Sequence, residues 1–334
     1  MNSFKNILIL FLSTLVSNVY GQDRTFSQFF LNPTDINPGI TGIESYLDIS
    51  LGYKQLWRDF DSGDNSAFLS IDKSFGQVPS SVYKNNSLRV SDTKRYDRID
   101  QNQKLKRKHG LGISVRADET GALKTFNAGV RYAYHLPLTL KWRLSFGSSI
   151  KFEQNSIDFA KYNVRDDSDL FIQNLMANGG NQNRYLVDFG ASAYSDNLLV
   201  AISANSLVNQ EFDSEDLLTL DAEKTYHAFV NHKTPISSSI DLSYGVLGVY
   251  TSLSEFYWAA NARLKYKNRL TLGAGYDSND RLSGFLGLRV QDNVYLNYSY
   301  DYFVGALSTF NVVNHELVLN LKLANPYNFK ELLW

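Results

Sequence analysis

The chain has 334 residues, no cysteine and a formal net charge of −1, so disulfide scaffolds are excluded and no global field is available to attract nucleic acid. Its 21 Tyr, 21 Phe and 4 Trp suit strands, and tyrosine suits a place that is apolar at one end and wet at the other. In chain order, Lys5 precedes an apolar run from Ile7 to Val16, and Val19 and Gly21 hold the −3 and −1 positions of an export cleavage site. This pattern predicts a secretory signal over 1–21. The run is too short to cross a bilayer as a helix, and no cysteine follows it to accept a lipid, so the mature chain is expected to begin at Gln22.

The mature start, FSQFFLNPTDINPG from Phe26 to Gly39, crowds three phenylalanines beside Asn32-Pro33 and Asn37-Pro38. Asn before Pro is pushed toward extended or turn geometry and each Pro fixes its own φ, which predicts a preformed, non-helical strap over 22–44. Phe26, Phe29, Phe30 and Leu31 are expected to anchor it by burial, up into the mouth of the structure that follows. Two readings stand: a plug or docking surface built on Phe26, Gln28, Phe29, Phe30, Asn32, Pro33, Asn37 and Pro38, or a structural closure of the base.

From Ser45 onward about fourteen segments of roughly ten residues alternate in polarity and are separated by turn residues, the pattern of a transmembrane β-barrel. In Leu140 to Glu153, Leu140, Trp142, Leu144, Phe146, Ile150 and Phe152 share one face against Lys141, Arg143, Ser145, Gly147, Ser149, Lys151 and Glu153. The same split recurs at Val294, Leu296, Tyr298, Tyr300 and Tyr302, and at Leu317, Leu319, Leu321 and Leu323. One face suits lipid and the other water, and strands of that kind are viable in hydrocarbon only when the sheet closes on itself. The expected class is therefore all-β, an antiparallel outer-membrane barrel over 45–323 with a periplasmic tail at 324–334.

Short connections (Asp196-Asn197, Ser237-Ser238, Lys267-Asn268, Asp292-Asn293) alternate with mostly longer ones, among them Gln154 to Asn183, Leu207 to Glu223 and Val304 to Val312. The short set is assigned to the periplasm and the long set to the outside. Gly76 to His109 breaks the rule by being long on the periplasmic side, with nine Lys/Arg against three Asp. It is either two missed strands or a basic arm, with Lys104, Lys106, Arg107 and Lys108 as its candidate partner-binding cluster. Lys54, Arg131, Lys141, Arg143, Lys151, Asp188, Arg263, Arg289, Asp301, Glu316 and Lys322 are expected inside the barrel.

The five histidines do not converge: His227 and His232 point to opposite faces of one strand, His315 sits at the outer lipid boundary, and His109 and His135 lie at the other rim. No nucleophile elbow, paired zinc histidines or Gly-rich phosphate loop occurs, so neither enzyme chemistry, cofactor nor metal is expected. The acidic runs at 166–169 and 213–216 offer oxygen ligands for calcium but lack the spaced ligands and turn glycine of an EF-hand, and read better as solvated loops or as the charge surface that lipopolysaccharide counter-ions meet. A docking loop for a secreted partner is the other reading of these runs.

Several stretches, in order, resemble the PorP/SprF family of Bacteroidetes outer-membrane proteins. They are Gln22-Asp23 with Phe26-Ser27-Gln28, Asn32-Pro33 and Asn37-Pro38-Gly39, then Gly52 to Trp57, then Gly110 to Ile113 with Asp118 and Gly121. Tyr132 to Leu136, Leu144 to Gly147, Tyr300 to Tyr302 and His315-Glu316 continue the likeness over nearly all of the mature chain. Gly39-Ile40 departs from the family's usual small residue and aromatic, and the basic stretch before Gly110 is longer than usual. The resemblance implies a non-enzymatic barrel of type IX secretion and gliding motility. The implied partner is a secreted adhesin, bound through its C-terminal region, exported and held at the cell surface. The family's other branch implies a link to the secretion motor's periplasmic ring or to peptidoglycan-binding proteins. A passive channel for small solutes is the alternative from a different class.

Overall fold

A computed structural model describes residues 26–56, 64–76, 107–139, 141–158, 170, 173, 181–212, 223–252, 256–304, 308 and 313–324. Period-2 alternation organises nearly all of them into strands. These are β1 Leu47–Gln55, β2 Asn65–Phe75, β3 Lys108–Thr120, β4 Leu123–Pro137, β5 Arg143–Ile157, β6 Gln182–Tyr194 and β7 Leu198–Phe212. They continue as β8 Thr225–Ser237, β9 Ile240–Thr251, β10 Tyr257–Tyr266, β11 Leu270–Asp277, β12 Arg281–Gln291, β13 Val294–Phe303 and β14 Val313–Leu323. Each pairs antiparallel with its sequence neighbours, and β1 closes on β14, giving a closed barrel of fourteen strands. The seam runs in unbroken register from Leu47 opposite Leu323 to Gln55 opposite His315.

Strand parity sorts the side chains. Leu51, Tyr53, Ile113, Val130, Ile150, Ile202, Leu272 and Val290 face outward and are exposed, forming an apolar belt suited to lipid. Aromatics lie outward toward both rims: Tyr53, Tyr226, Tyr250, Tyr298 and Tyr302 near one, Phe75, Trp142, Tyr244 and Tyr266 near the other. His232 joins the second group against Tyr244, with ring centroids 5.1 Å apart. His227 instead reaches Ser203 within the barrel, so the two histidines face opposite ways.

The end at which β1 begins and β14 finishes carries turns at 138–142, 195–197, 238–239, 267–269 and 292–293 and is termed the short-turn end. The opposite, loop end carries the connections at 56–64, 158–181, 213–224, 252–256 and 304–312, with tighter turns at 121–122 and 278–280. The connection after Gly76 also leaves from the short-turn end, and 77–106 lie outside the described residues.

The core sits inside the barrel. Phe26, Phe29, Phe30, Leu31, Ile40 and Ile43 cluster there with the wall residues Phe68, Phe229, Leu247, Ala259, Phe285 and Val318. The expected non-helical strap requires correction: Phe29–Leu31 and Pro38–Ile40 are 3-10 turns. Asn37 is extended, as a residue before proline should be, and its side chain caps the second turn at Gly39 N. A single such turn tolerates Pro at its first position because that amide has no partner to lose.

Candidate functional site

The site is the lumen and the segment that fills it. The strap descends through the barrel from the loop-end half to the short-turn rim before β1 turns back up. At the top, Glu316 accepts the backbone N–H of Ser27 at 2.7 Å and of Gln28 at 3.2 Å, and the Ser27 hydroxyl donates to Asp301 at 2.6 Å. Lys54 neutralises Glu316 at 3.0 Å, both side chains being fully buried. Phe26 meets Phe68 edge-on at 4.9 Å, Phe29 meets Phe229 at 5.8 Å, and Phe30 meets Phe285 at 5.3 Å. The Arg263 guanidinium lies 3.7 Å from the Phe30 ring centroid and bonds Asn231 at 2.7 Å, a buried cation held over an aromatic face.

The middle of the strap runs along the wall from β2 to β7. Asn32 and Pro33 start a turn in which the Asp35 amide donates to Asn32 O and those of Ile36 and Asn37 donate to Pro33 O. Thr34 donates to Asp72 at 3.0 Å, itself paired with Arg131 at 3.2 Å. Asp35 pairs with Arg116 at 3.3 Å. Burial pushes the Asp35 carboxyl up, but the positive fields of Lys151, Arg116 and Arg131 outweigh it and hold the group below its ordinary value. Asn37 donates to the carbonyls of Ala191 and Ile202 at 3.2 and 2.7 Å, and Ser203 and Asn205 return bonds to Ile36 O.

Near the short-turn rim the strap lies almost on the wall, which is possible because glycines stand at the points of closest approach. A Cβ on Gly147 would overlap the Pro38 carbonyl, and one on Gly190 would overlap the Asn37 side-chain oxygen. Ser145 donates to Gly39 O at 2.5 Å, His135 contacts Thr41 O at 2.9 Å and Tyr194 at 2.9 Å, and Lys108 donates to Ile43 O at 2.5 Å.

These placements revise several expectations. Phe26, Phe29, Phe30, Asn37 and Pro38 are buried against the wall, deeper than a mouth-level anchor, because the wall supplies carboxylates and glycines along its whole height. Lys108 does not hang on a basic arm: it is the first residue of β3, where strand parity turns it into the lumen, 2% exposed. Arg107 stays exposed just before it, and Lys104 and Lys106 lie outside the described residues, as do both acidic runs. Lys141 is exposed in the β4–β5 turn rather than inside, since β5 begins only at Arg143. Lys54, Arg131, Asp188, Arg263, Asp301, Glu316 and Lys322 are buried in the lumen. Among the described residues no group of three or more metal-ligating side chains gathers.

Above the strap, toward the loop end, a cup of about 300 Å³ remains, floored by Phe26, Gln28, Phe29, Asn32 and Ile36 and walled by Arg116, Lys151, Glu153, Asn205 and His227, among others. Its charges are matched: Arg116 with Asp118 at 2.9 Å, Lys151 with Asp188 at 2.7 Å, and Glu153 with Arg184. The cup was not legible from sequence, since its floor and walls come from residues up to two hundred positions apart.

A family model described as type IX secretion system membrane protein PorP/SprF matches residues 18–321. No curated protein matches the chain. Among solved structures, the chain is similar to the outer membrane protein Omp33 of Acinetobacter baumannii, at 11% identity over 85% of this chain and 100% of that one, with a TM-score of 0.48. It is similar also to the toluene transporter TodX of Pseudomonas putida, at 10% identity over 91% of this chain and 98% of that one, with a TM-score of 0.46. The closed barrel with its lipid-suited outer face, together with the family match, places the chain in the outer membrane.

Proposed function

The chain belongs to the PorP/SprF family of type IX secretion system membrane proteins, and from that premise we propose that it is a plugged docking barrel for a secreted cell-surface adhesin. It binds the adhesin's C-terminal region, serves its export and holds it at the surface. In this reading residues 1–21 are removed as an export signal, 22–44 form the plug, the short-turn end faces the periplasm and the loop end faces outward.

The observation that carries the reading is the seated strap. Its backbone is bonded by buried wall groups from Glu316 at the top to Lys108 at the bottom, and its phenylalanines fill the lumen. A wide, water-filled path would leave such charges solvated and unpartnered, whereas here they hold a segment of the chain itself. The work of the molecule therefore lies in the surfaces that it presents, and no chemical step is required of it.

The test is a native pull-down of the tagged mature protein from its own outer membrane, followed by mass spectrometry. Recovery of a very large secreted protein whose isolated C-terminal region rebinds the purified barrel supports the reading. Recovery of periplasmic ring or motor components instead moves the assignment to the secretion machine's base, and a barrel recovered alone that conducts ions returns it to a channel.

A further inference from the structure

The barrel rim is uneven. At the loop end β7 pairs with β6 as far as Phe212 opposite Asn183, yet it pairs with β8 only from Leu198 to Asn205, where Thr225 begins β8. Ser206–Phe212 therefore presents one strand edge that is unpaired among the described residues, on the order of 20 Å of extended backbone. The break is built in. Ser206 adopts a left-handed φ of 56°, its N–H donates to the Asp188 side chain at 2.8 Å, and the β6–β7 register shifts at that level, between Val187 and Phe189, the signature of a bulge that redirects a strand.

The foot of this edge opens into the cup, where Asn205, Ser206, Thr225 and His227 line the wall. Two amides there are incompletely used. Gln28 is 3% exposed and Asn205 8% exposed, and Gln28 Nε2 and Asn205 Oδ1 have no hydrogen-bond partner among the described residues. One is a donor and the other an acceptor, and buried polar groups of this kind call for a partner. Because the charged residues around them are already matched, the ligand that fits is neutral and carries both an acceptor and a donor. A peptide unit is such a group.

We propose that the edge of β7 over Ser206–Phe212 receives an extended polypeptide segment of the secreted partner by strand addition, and that the segment's next residues descend into the cup to bond Gln28 and Asn205. Main-chain bonds along an open edge supply affinity with little demand on sequence, and the pocket at its foot supplies selection. This inference rests on the docking reading and specifies where and in what form the partner is held.

The experiment is hydrogen–deuterium exchange on the purified barrel alone and on the barrel co-purified with its secreted partner, together with a photo-crosslinking residue at the exposed Gln210. In the barrel alone, amides of 206–212 should include a fast-exchanging set while those of 198–205 are slow. In the complex, the fast set should slow at least tenfold, with Gln210 crosslinked to one short stretch of the partner. Gln28→Leu should weaken the complex about three- to tenfold, the scale of one hydrogen bond.

Slow exchange over 206–212 in the barrel alone, with Gln210 crosslinked to this chain's own 213–222, overturns strand addition. So does a complex that leaves these amides fast, which is the result that a carbohydrate in the cup or docking at another surface would give. In either case co-purification itself still stands and the docking reading survives. Absence of any secreted protein from the purified barrel removes both.

Discussion

Pro38 passes so close to Gly147 of β5 that a side chain on Gly147 would begin where the Pro38 carbonyl now lies. The strap is thus seated by a missing Cβ on a strand more than a hundred positions away. Gly147→Ala should unseat the lower strap at a cost of about 1–3 kcal/mol, the usual scale of overpacking. Limited proteolysis between residues 26 and 46 should become faster than in the natural protein, while barrel strand content by circular dichroism stays unchanged.

Glu316 carries three partners, the amides of Ser27 and Gln28 and the Lys54 ammonium. Glu316→Ala removes the carboxylate that Lys54 pairs with inside the lumen, and should lower stability by about 3–5 kcal/mol. Adding Lys54→Met should recover part of that loss, because the buried ammonium that faced Glu316 goes with it. Thermal unfolding of the two single variants and the double variant measures the coupling. Equal losses in Glu316→Ala and the double variant would show that the backbone bonds, not the ion pair, dominate.

Asp35 sits among Arg116, Arg131 and Lys151, and its carboxyl is held below the ordinary value of 3.8. Its folded-state value being the lower one, the unfolded chain binds the proton more readily, so the contribution is complete above the unfolded value and is lost as pH falls through the folded one. The share of strap anchorage that Asp35 supplies should be flat from neutral pH down to about 4 and weaken below it. Protease release of the strap against pH measures this, and Asp35→Asn should remove that acid-dependent part.

Phe30 lies between Phe285 and the Arg263 guanidinium. Phe30→Ala should cost about 3–5 kcal/mol as a buried aromatic truncation and open a gap beside a cation. In planar bilayers the natural protein should remain nearly closed, and Phe30→Ala should show transient openings with anion preference. Steady, large conductance in the natural protein would mean that the strap does not fill the lumen in a membrane.

The strands were legible because alternation is a local signal, repeated in almost every segment from Leu47 to Leu323. The strap was legible as a segment, from Asn32-Pro33, Asn37-Pro38 and the three phenylalanines, but not in its depth. Depth is set by Glu316, Gly147 and Gly190, which touch it only after closure. Lys108 was hidden in a run of charge, where nothing local marks the residue at which strand parity begins. The edge of β7 that is unpaired among the described residues was illegible for another reason: it is a difference between the reach of two strands, beginning at one left-handed serine.

The path of the strap constrains the order of assembly. Ser27 and Glu316 are separated by 289 positions, and the second lies on the strand that closes the seam against β1. The strap, made before any strand, must therefore wait inside the forming wall until the last strand arrives, and contacts so distant along the chain form late. Sealing of the barrel and completion of its filling become one event, so a chain that closes empty is trapped in a product that it cannot correct without reopening the seam.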